Sequence, residues 1–320
     1  MSPEDWVTVV SKDYLDTFVR EGGAALKFAA PTTDAGRFEL RERLSVAGAS
    51  LGYQCVHLDA TGVRLHLIDR LFHAVARQVD WDRHARTFLE RLLRERGLRL
   101  PPADEPVSAA RLAELNAAPE VLLRTELRTA LAHELFEDYA MAREFRLAMF
   151  ALCTAQLDPT ESPALATSVT HWLRGELRLI SEVKRALIFQ KIARGNARHM
   201  LFSLAHWLTR TDQSGLLLVL DIARYAEAVR PAERGEGNYY STSATMDLYE
   251  VLRQLIDATD EVHSCFVAVV TAPEFLQLQL RDDRRGIRNY QALYFRIWDE
   301  VYDRNRENPF STLVRIGAAA

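Results

Sequence analysis

Four short runs of unbroken apolar residues limit what this chain can become. They are Ala24–Ala30 (AALKFAA), Tyr53–Asp59 (YQCVHLD), Leu216–Asp221 (LLLVLD) and Cys265–Thr271 (CFVAVVT), with a weaker fifth at Leu313–Ile316. A strand with one wet face alternates apolar and polar residues. A run that stays apolar must be covered on both faces, as in a parallel sheet between layers of helices. Helical spacing fills the gaps, over Arg37–Leu51, Val63–Gly97, much of Ala109–Thr209, and Thr242–Thr259. The alternation predicts a three-layer α/β core with a parallel central sheet and right-handed crossovers.

One connection is abnormally long. Residues 60–215 carry no strand signal, only punctuation at Leu98–Val107 (LRLPPADEPV) and Leu157–Pro163 (LDPTESP). Leu122–Leu152 and Trp172–Trp207 have apolar residues at spacings of three and four, the signature of amphipathic helices. The expected organisation is an α/β core built from residues 1–97 and 211–320, with a helical subdomain inserted over residues 98–210. Arg230–Asn238 (RPAERGEGN) reads as a polar loop after the third strand.

Composition excludes several classes. A net charge of -4 gives no global attraction to nucleic acid or anionic membrane. The three cysteines, Cys55, Cys153 and Cys265, are far apart and form no C-x-x-C pair, so buried reduced thiols in a cytoplasmic protein are expected. The start, MSPEDWVTVV, lacks a basic segment followed by a long apolar one, and no stretch has the apolar length of a membrane span. There is no H-E-x-x-H, no G-x-S-x-G, and no G-x-G-x-x-G after a strand. Zinc peptidase, serine hydrolase and dinucleotide oxidoreductase chemistries therefore lack their residues. His57 and His66 read as packing or capping residues.

The stretch Lys27–Glu39 (KFAAPTTDAGRFE) runs from strand to helix, the place of a phosphate-binding loop. The pattern G-x-x-x-x-G-K-[ST] needs Gly for a tight turn, Lys for the β/γ-phosphates and Ser/Thr for Mg²⁺. Here those positions hold Pro31, Gly36, Arg37 and Phe38. Pro31 has no N–H to offer an anion. Arg37 is a cation of different shape and hydration from Lys, and Phe38 cannot ligate a metal. Gly36 alone is retained, at a helix start that attracts anions. Asp221, ending LLLVLD, stands where a Walker B carboxylate would hold Mg²⁺, but the next residue is Ile222 rather than Glu. A strand-ending Asp that merely caps a turn is the plain alternative. ATP or ADP with Mg²⁺ is thus an expected ligand class for a site that has lost most of its parts.

Three weaker features remain. Thr271, at the end of the next strand, stands where AAA+ proteins place a polar sensor of the γ-phosphate. Arg288, in RDDRRGIR (Arg281–Arg288), and Arg296 are candidates for an arginine finger reaching a neighbouring subunit. A helix over Trp172–His199 would carry Arg174, Arg178, Lys184, Arg185, Lys191, Arg194 and Arg198; of these Arg185, Lys191, Arg194 and Arg198 are the candidate DNA contacts. Glu176 and Glu182 interleave, so a salt-bridged surface helix competes with that reading.

Tyr14–Phe28 (YLDTFVREGGAALKF), Gly52–Asp59 (GYQCVHLD), Ile192–Trp207 (IARGNARHMLFSLAHW), Gly215–Asp221 (GLLLVLD) and Tyr290–Arg296 (YQALYFR) together resemble the P-loop ATP-binding proteins of bacterial BREX-type phage-defence systems. The resemblance runs along nearly the whole chain. It implies an AAA+-like P-loop NTPase core and a partner from the same defence cluster: a helicase, nuclease or methyltransferase. Members of that family carry an intact G-x-x-x-x-G-K-[ST] and an Asp-Glu Walker B, from which this chain departs at Pro31, Arg37, Phe38 and Ile222. The resemblance therefore carries fold and pathway but not catalysis. Three functions follow as expectations: a degenerate ATPase serving as a scaffold, an ATPase completed by a neighbouring subunit in an oligomer, and a DNA-binding adaptor.

Overall fold

A computed structural model of the protein describes residues 1–159, 163–227, 235–276, 285–298 and 307–317. The chain divides into two compact units, one of residues 1–75 with 213–320 and one of residues 76–212.

The first unit is built on five strands: β1 (Ala24–Pro31), β2 (Tyr53–Asp59), β3 (Gly215–Asp221), β4 (Cys265–Val270) and β5 (Leu313–Ile316). They form one parallel sheet in the order β2-β3-β4-β1-β5. The unbroken apolar runs are covered on both sides, as their composition requires: Leu216–Leu220 and Phe266–Val270 are buried at every position. Helix α1 (Pro3–Val9), a π-helical segment (Val10–Phe18) and α2 (Asp34–Ser50) cover one face. Trp6, Leu15, Leu40 and Leu44 meet Leu217, Val219, Phe266 and Ala268 there. Gly48 lets α2 press closely on the sheet; a Cβ at that position would sit 2.4 Å from Leu217 Cδ2. On the opposite face Phe28 stacks on Phe275, with ring centroids 5.8 Å apart.

Parallel register brings the strand ends together. Asp59 of β2 is the Cα partner of Asp221 of β3, and Asp221 in turn partners Val270 of β4. Strand β1 leads to β2 at one margin of the sheet, while β4 leads to β5 on the far side of β1. Neighbouring strands that send their connections opposite ways open a crevice at their carboxyl ends. Pro31, Asp221 and Thr271 all lie at that end.

The second unit is helical. After α3 (Ile68–Arg77), whose last residues belong to it, come α4 (Trp81–Glu95), α5 (Ala109–Asn116), α6 (Glu120–Phe136), α7 (Arg143–Leu157), α8 (Pro163–Arg174) and α9 (Ala197–Thr209). Helix α7 is buried nearly all round and forms the centre. Aromatic pairs fill the core, Phe88 with Trp207 at 4.7 Å and Trp81 with Phe145 at 6.1 Å between centroids. The first unit also holds α10 (Ala223–Ala226), α11 (Thr242–Asp257) and α12 (Gln291–Ile297).

Several helical patterns are interrupted where the periodicity alone runs on. The pattern over Val63–Gly97 breaks at Asp80, whose carboxylate caps α4 by accepting from Arg83 N–H. Leu122–Leu152 splits between α6 and α7. The single basic helix expected over Trp172–His199 does not form. Gly175, at φ 73, ends α8; residues 180–186 are a 3₁₀ turn, Leu187 is left-handed at φ 59, and helix resumes only at Ala197. Helix α1 and the π-helical segment were not among the elements that apolar spacing marked out.

No helix among the described residues is long and apolar enough to cross a membrane. All three cysteines are free, and burial pushes the Cys55 thiol up to about 11 and that of Cys265 to about 12, so both stay protonated and unreactive.

Candidate nucleotide site at the strand ends

The turn from β1 to α2 is short. Strand β1 ends at Pro31 and α2 begins at Asp34, leaving Thr32 and Thr33 between them. Thr33 is the N-cap, its hydroxyl accepting from Gly36 N–H at 3.1 Å, and Arg37 N–H bonds back to Thr33 O. Gly36, Arg37 and Phe38 therefore sit in the first turn of the helix. Helix geometry leaves the N–H groups of Asp34 and Ala35 outside the ladder. The exposed Asp34 carboxylate lies at that N-terminus, where an anion would otherwise be favoured, and pairs with Arg37 at 3.1 Å. Phe38 points into solvent, 61% exposed.

The first residues of α2 reach the carboxylates at the strand ends. Arg37 and Arg41 are one turn apart on the same helix face. Arg41 Nη1 lies 2.8 Å from Asp221 Oδ2 and 3.2 Å from Asp59 Oδ2, and its Nη2 is 3.3 Å from His57 Nδ1. Arg37 Nε is 3.5 Å from the same Asp221 oxygen. The other oxygen, Oδ1, accepts from Ala223 N–H at 3.1 Å. Asp221 is 3% exposed, so this pairing is what makes its charge tolerable. Asp59 accepts from the N–H and hydroxyl of Thr61. Burial raises its carboxyl, but Thr61 and Arg41 together outweigh that and hold it below the usual range. Burial, and then the Arg41 charge, hold the His57 imidazole below its ordinary value and hence neutral.

The residues do not fit a Mg²⁺-nucleotide in this arrangement. The Asp221 oxygen that would face a metal is already ion-paired with two guanidiniums. The Thr271 hydroxyl, fully buried just past the end of β4, makes no hydrogen bond among the described residues.

The remaining sequence candidates lie elsewhere. Arg296 is held by Asp257, with Nη2 3.0 Å from Oδ2, and the Arg288 guanidinium lies over the Tyr294 ring at 5.7 Å. The rest of the arginine-rich loop, up to residue 284, lies outside the described residues. Arg185, Lys191 and Arg194 fall in the irregular link between α8 and α9, and Arg198 opens α9. Sequence reasoning missed Arg41, Asp59 and Thr61. Two signals pointed to them: Arg41 follows Arg37 by four residues on a helix, and Asp59 ends its strand as Asp221 ends the next.

A family model described as "BREX system ATP-binding protein BrxC/D" matches residues 105–318. The matched region holds Asp221 and Thr271 but not the β1–α2 turn. Comparison with curated proteins and with solved structures returned no match.

Proposed function

Because the chain belongs to the BREX system ATP-binding protein family, we propose that it is a defence-system subunit of P-loop, AAA+-like descent whose own nucleotide pocket is closed by an internal ion pair. In this reading the protein acts as a binding and scaffolding partner for an active helicase, nuclease or methyltransferase of the same system. The observation that carries it is Arg41 at 2.8 Å from Asp221, with Arg37 on the same oxygen. A guanidinium at that distance occupies the space a divalent ion would need, and displacing it uncovers a buried carboxylate. The exposed Phe38 supports the same reading, since a phenyl ring at that position cannot ligate a metal.

The test is a thermal-shift series with ATP, ADP and Mg²⁺, run beside a phosphate-release assay. The expected outcome is a shift of under about 1 °C and no release above background, because a ligand stabilises only in proportion to its binding. Wild-type phosphate release that Asp221→Ala abolishes would overturn the proposal.

A second reading rests on Thr271. A buried hydroxyl without a partner is costly, and a nucleotide phosphate admitted by a moving Arg41 would satisfy it. In that reading Arg37 replaces the usual Lys and a neighbouring subunit completes the site. Phosphate release that appears only when the cognate partner protein is added, and is lost in Thr271→Val, would favour it over the scaffold.

A further inference from the structure

Residues 175–196 join α8 to α9 as a strap laid over the helical unit. It is pinned from below. Val183, Ala186, Ile188 and Ile192 are buried, Trp172 Nε1 donates to Gln190 O at 3.0 Å, and Asn196 Oδ1 accepts from Ala193 N–H at 2.8 Å. Buried residues alternate with charged ones, and the outer side carries five basic residues against two carboxylates, Glu176, paired with Arg77 at 3.4 Å, and Glu182, which accepts from Leu179 N–H at 2.9 Å. Arg178, Lys184, Arg185, Lys191 and Arg194 are exposed, and Arg198 follows at the start of α9. None of these six pairs with a carboxylate among the described residues, whereas Arg86, Arg94, Arg111 and Arg210 of the same unit all do. Leu187 and Phe189 stand between the cations, 56% and 60% exposed.

A cavity of about 450 Å³ adjoins the strap. Its walls are Phe136, Leu147, Phe150 and Leu187, and the two phenyl rings lie 5.1 Å apart. Arg128 and Arg185 also line it, and Arg185 belongs to the strap as well. Thr154 contributes a buried hydroxyl that makes no hydrogen bond among the described residues. An aromatic-walled cavity with a few polar groups is the ordinary form of a small-ligand site.

We propose that the strap binds single-stranded nucleic acid and that the adjoining cavity receives one unstacked base. Five unneutralised cations along an irregular segment, continued by Arg198 in the first turn of α9, match a phosphate backbone. Exposed Phe189 offers a face for stacking, which any base can use. The strap has no helix to enter a major groove, so duplex DNA finds no reading element on it. In the cavity a base would lie against Phe150, meet the Thr154 hydroxyl at its polar edge, and keep its phosphate beside Arg185. This proposal does not depend on the Arg41–Asp221 pair, and its test is run without nucleotide or Mg²⁺.

Fluorescence anisotropy would follow a labelled mixed-sequence DNA strand of about 20 nucleotides, its duplex, and the same strand with abasic positions. The single strand should bind more tightly than the duplex, with log affinity falling linearly in log salt. Lys191→Glu with Arg194→Glu should weaken binding about ten-fold or more and lower the slope by about 0.7 for each phosphate no longer neutralised. Both positions are exposed, so the variant should fold. Thr154→Val should weaken the normal strand several-fold with no change in slope and leave the abasic strand unaffected. No binding at low salt, tighter binding of the duplex, equal binding of poly-glutamate, or an unchanged affinity after charge reversal would overturn the strap. Equal affinity for normal and abasic strands would overturn the base pocket.

Discussion

Arg41 sits between two carboxylates and an imidazole, and each neighbour constrains it differently. Asp221 is buried and holds it at 2.8 Å. His57 can accept from it only through an unprotonated Nδ1. Arg41→Ala should therefore cost about 3 kcal/mol in a urea unfolding curve, less if Arg37 closes on Asp221. The same neighbours set a pH dependence. The His57 imidazole is held below its ordinary value in the folded state. Between that lowered value and about 6.5 the unfolded chain binds a proton that the folded chain refuses. Stability should be complete above about pH 6.5 and fall as the pH drops below it. His57→Gln should flatten that part of a melting-temperature profile; an unchanged profile would mean that His57 does not carry it. Asp59, held low in the same network, adds a second loss at still lower pH. Of these residues Asp221 and Arg37 stood out in the sequence as site candidates, and His57 read only as a packing or capping residue. Arg41 and Asp59 owe their roles to the register of β2 against β3 and to the seat of α2, neither of which one residue type announces.

Elements were more legible than boundaries. All five strands lie where the apolar runs place them; the inner strands β3 and β4 are buried at every position, which leaves a mark that composition alone carries, while the marginal β2 and β5 are only partly covered. The helical unit was harder. Its interruptions at Gly175 and Leu187 are backbone events, and the apolar spacing continues across them. The basic helix that the spacing suggested is instead a strap, so its cations are spread along a line. A strand boundary also rests on one backbone event. Gly215 opens β3 at φ 142, and a Cβ there would meet Ser264 O at 2.1 Å. The next residue, Leu216, donates to that same Ser264 carbonyl at 2.9 Å. Gly215→Ala must either break this first rung between β3 and the approach to β4 or strain both. A loss of about 3 kcal/mol is expected, read from chemical denaturation with the wild type alongside. A loss below about 1 kcal/mol would mean the turn can relax.

At the scale of the molecule, the core is contributed by two stretches far apart in sequence, residues 1–75 and 213–320. The first strand finds its neighbours among the last: β1 lies between β4 and β5, and Lys27 Nζ donates to Phe310 O at 2.5 Å. Gly317 N–H reaches Met1 O at 3.0 Å. On a ribosome, β5 emerges after every other strand. Until Leu313–Ile316 arrives, the backbone of Phe28–Pro31 presents a bare, apolar margin able to recruit any extended peptide. A chain stopped before Asn308 should therefore scatter light and precipitate, and a separate peptide spanning Asn308–Gly317 should restore its solubility by lending the missing donor strand. Two such molecules could equally lend strands to each other, which makes the late arrival of four residues a hazard of assembly that the nascent chain must outrun.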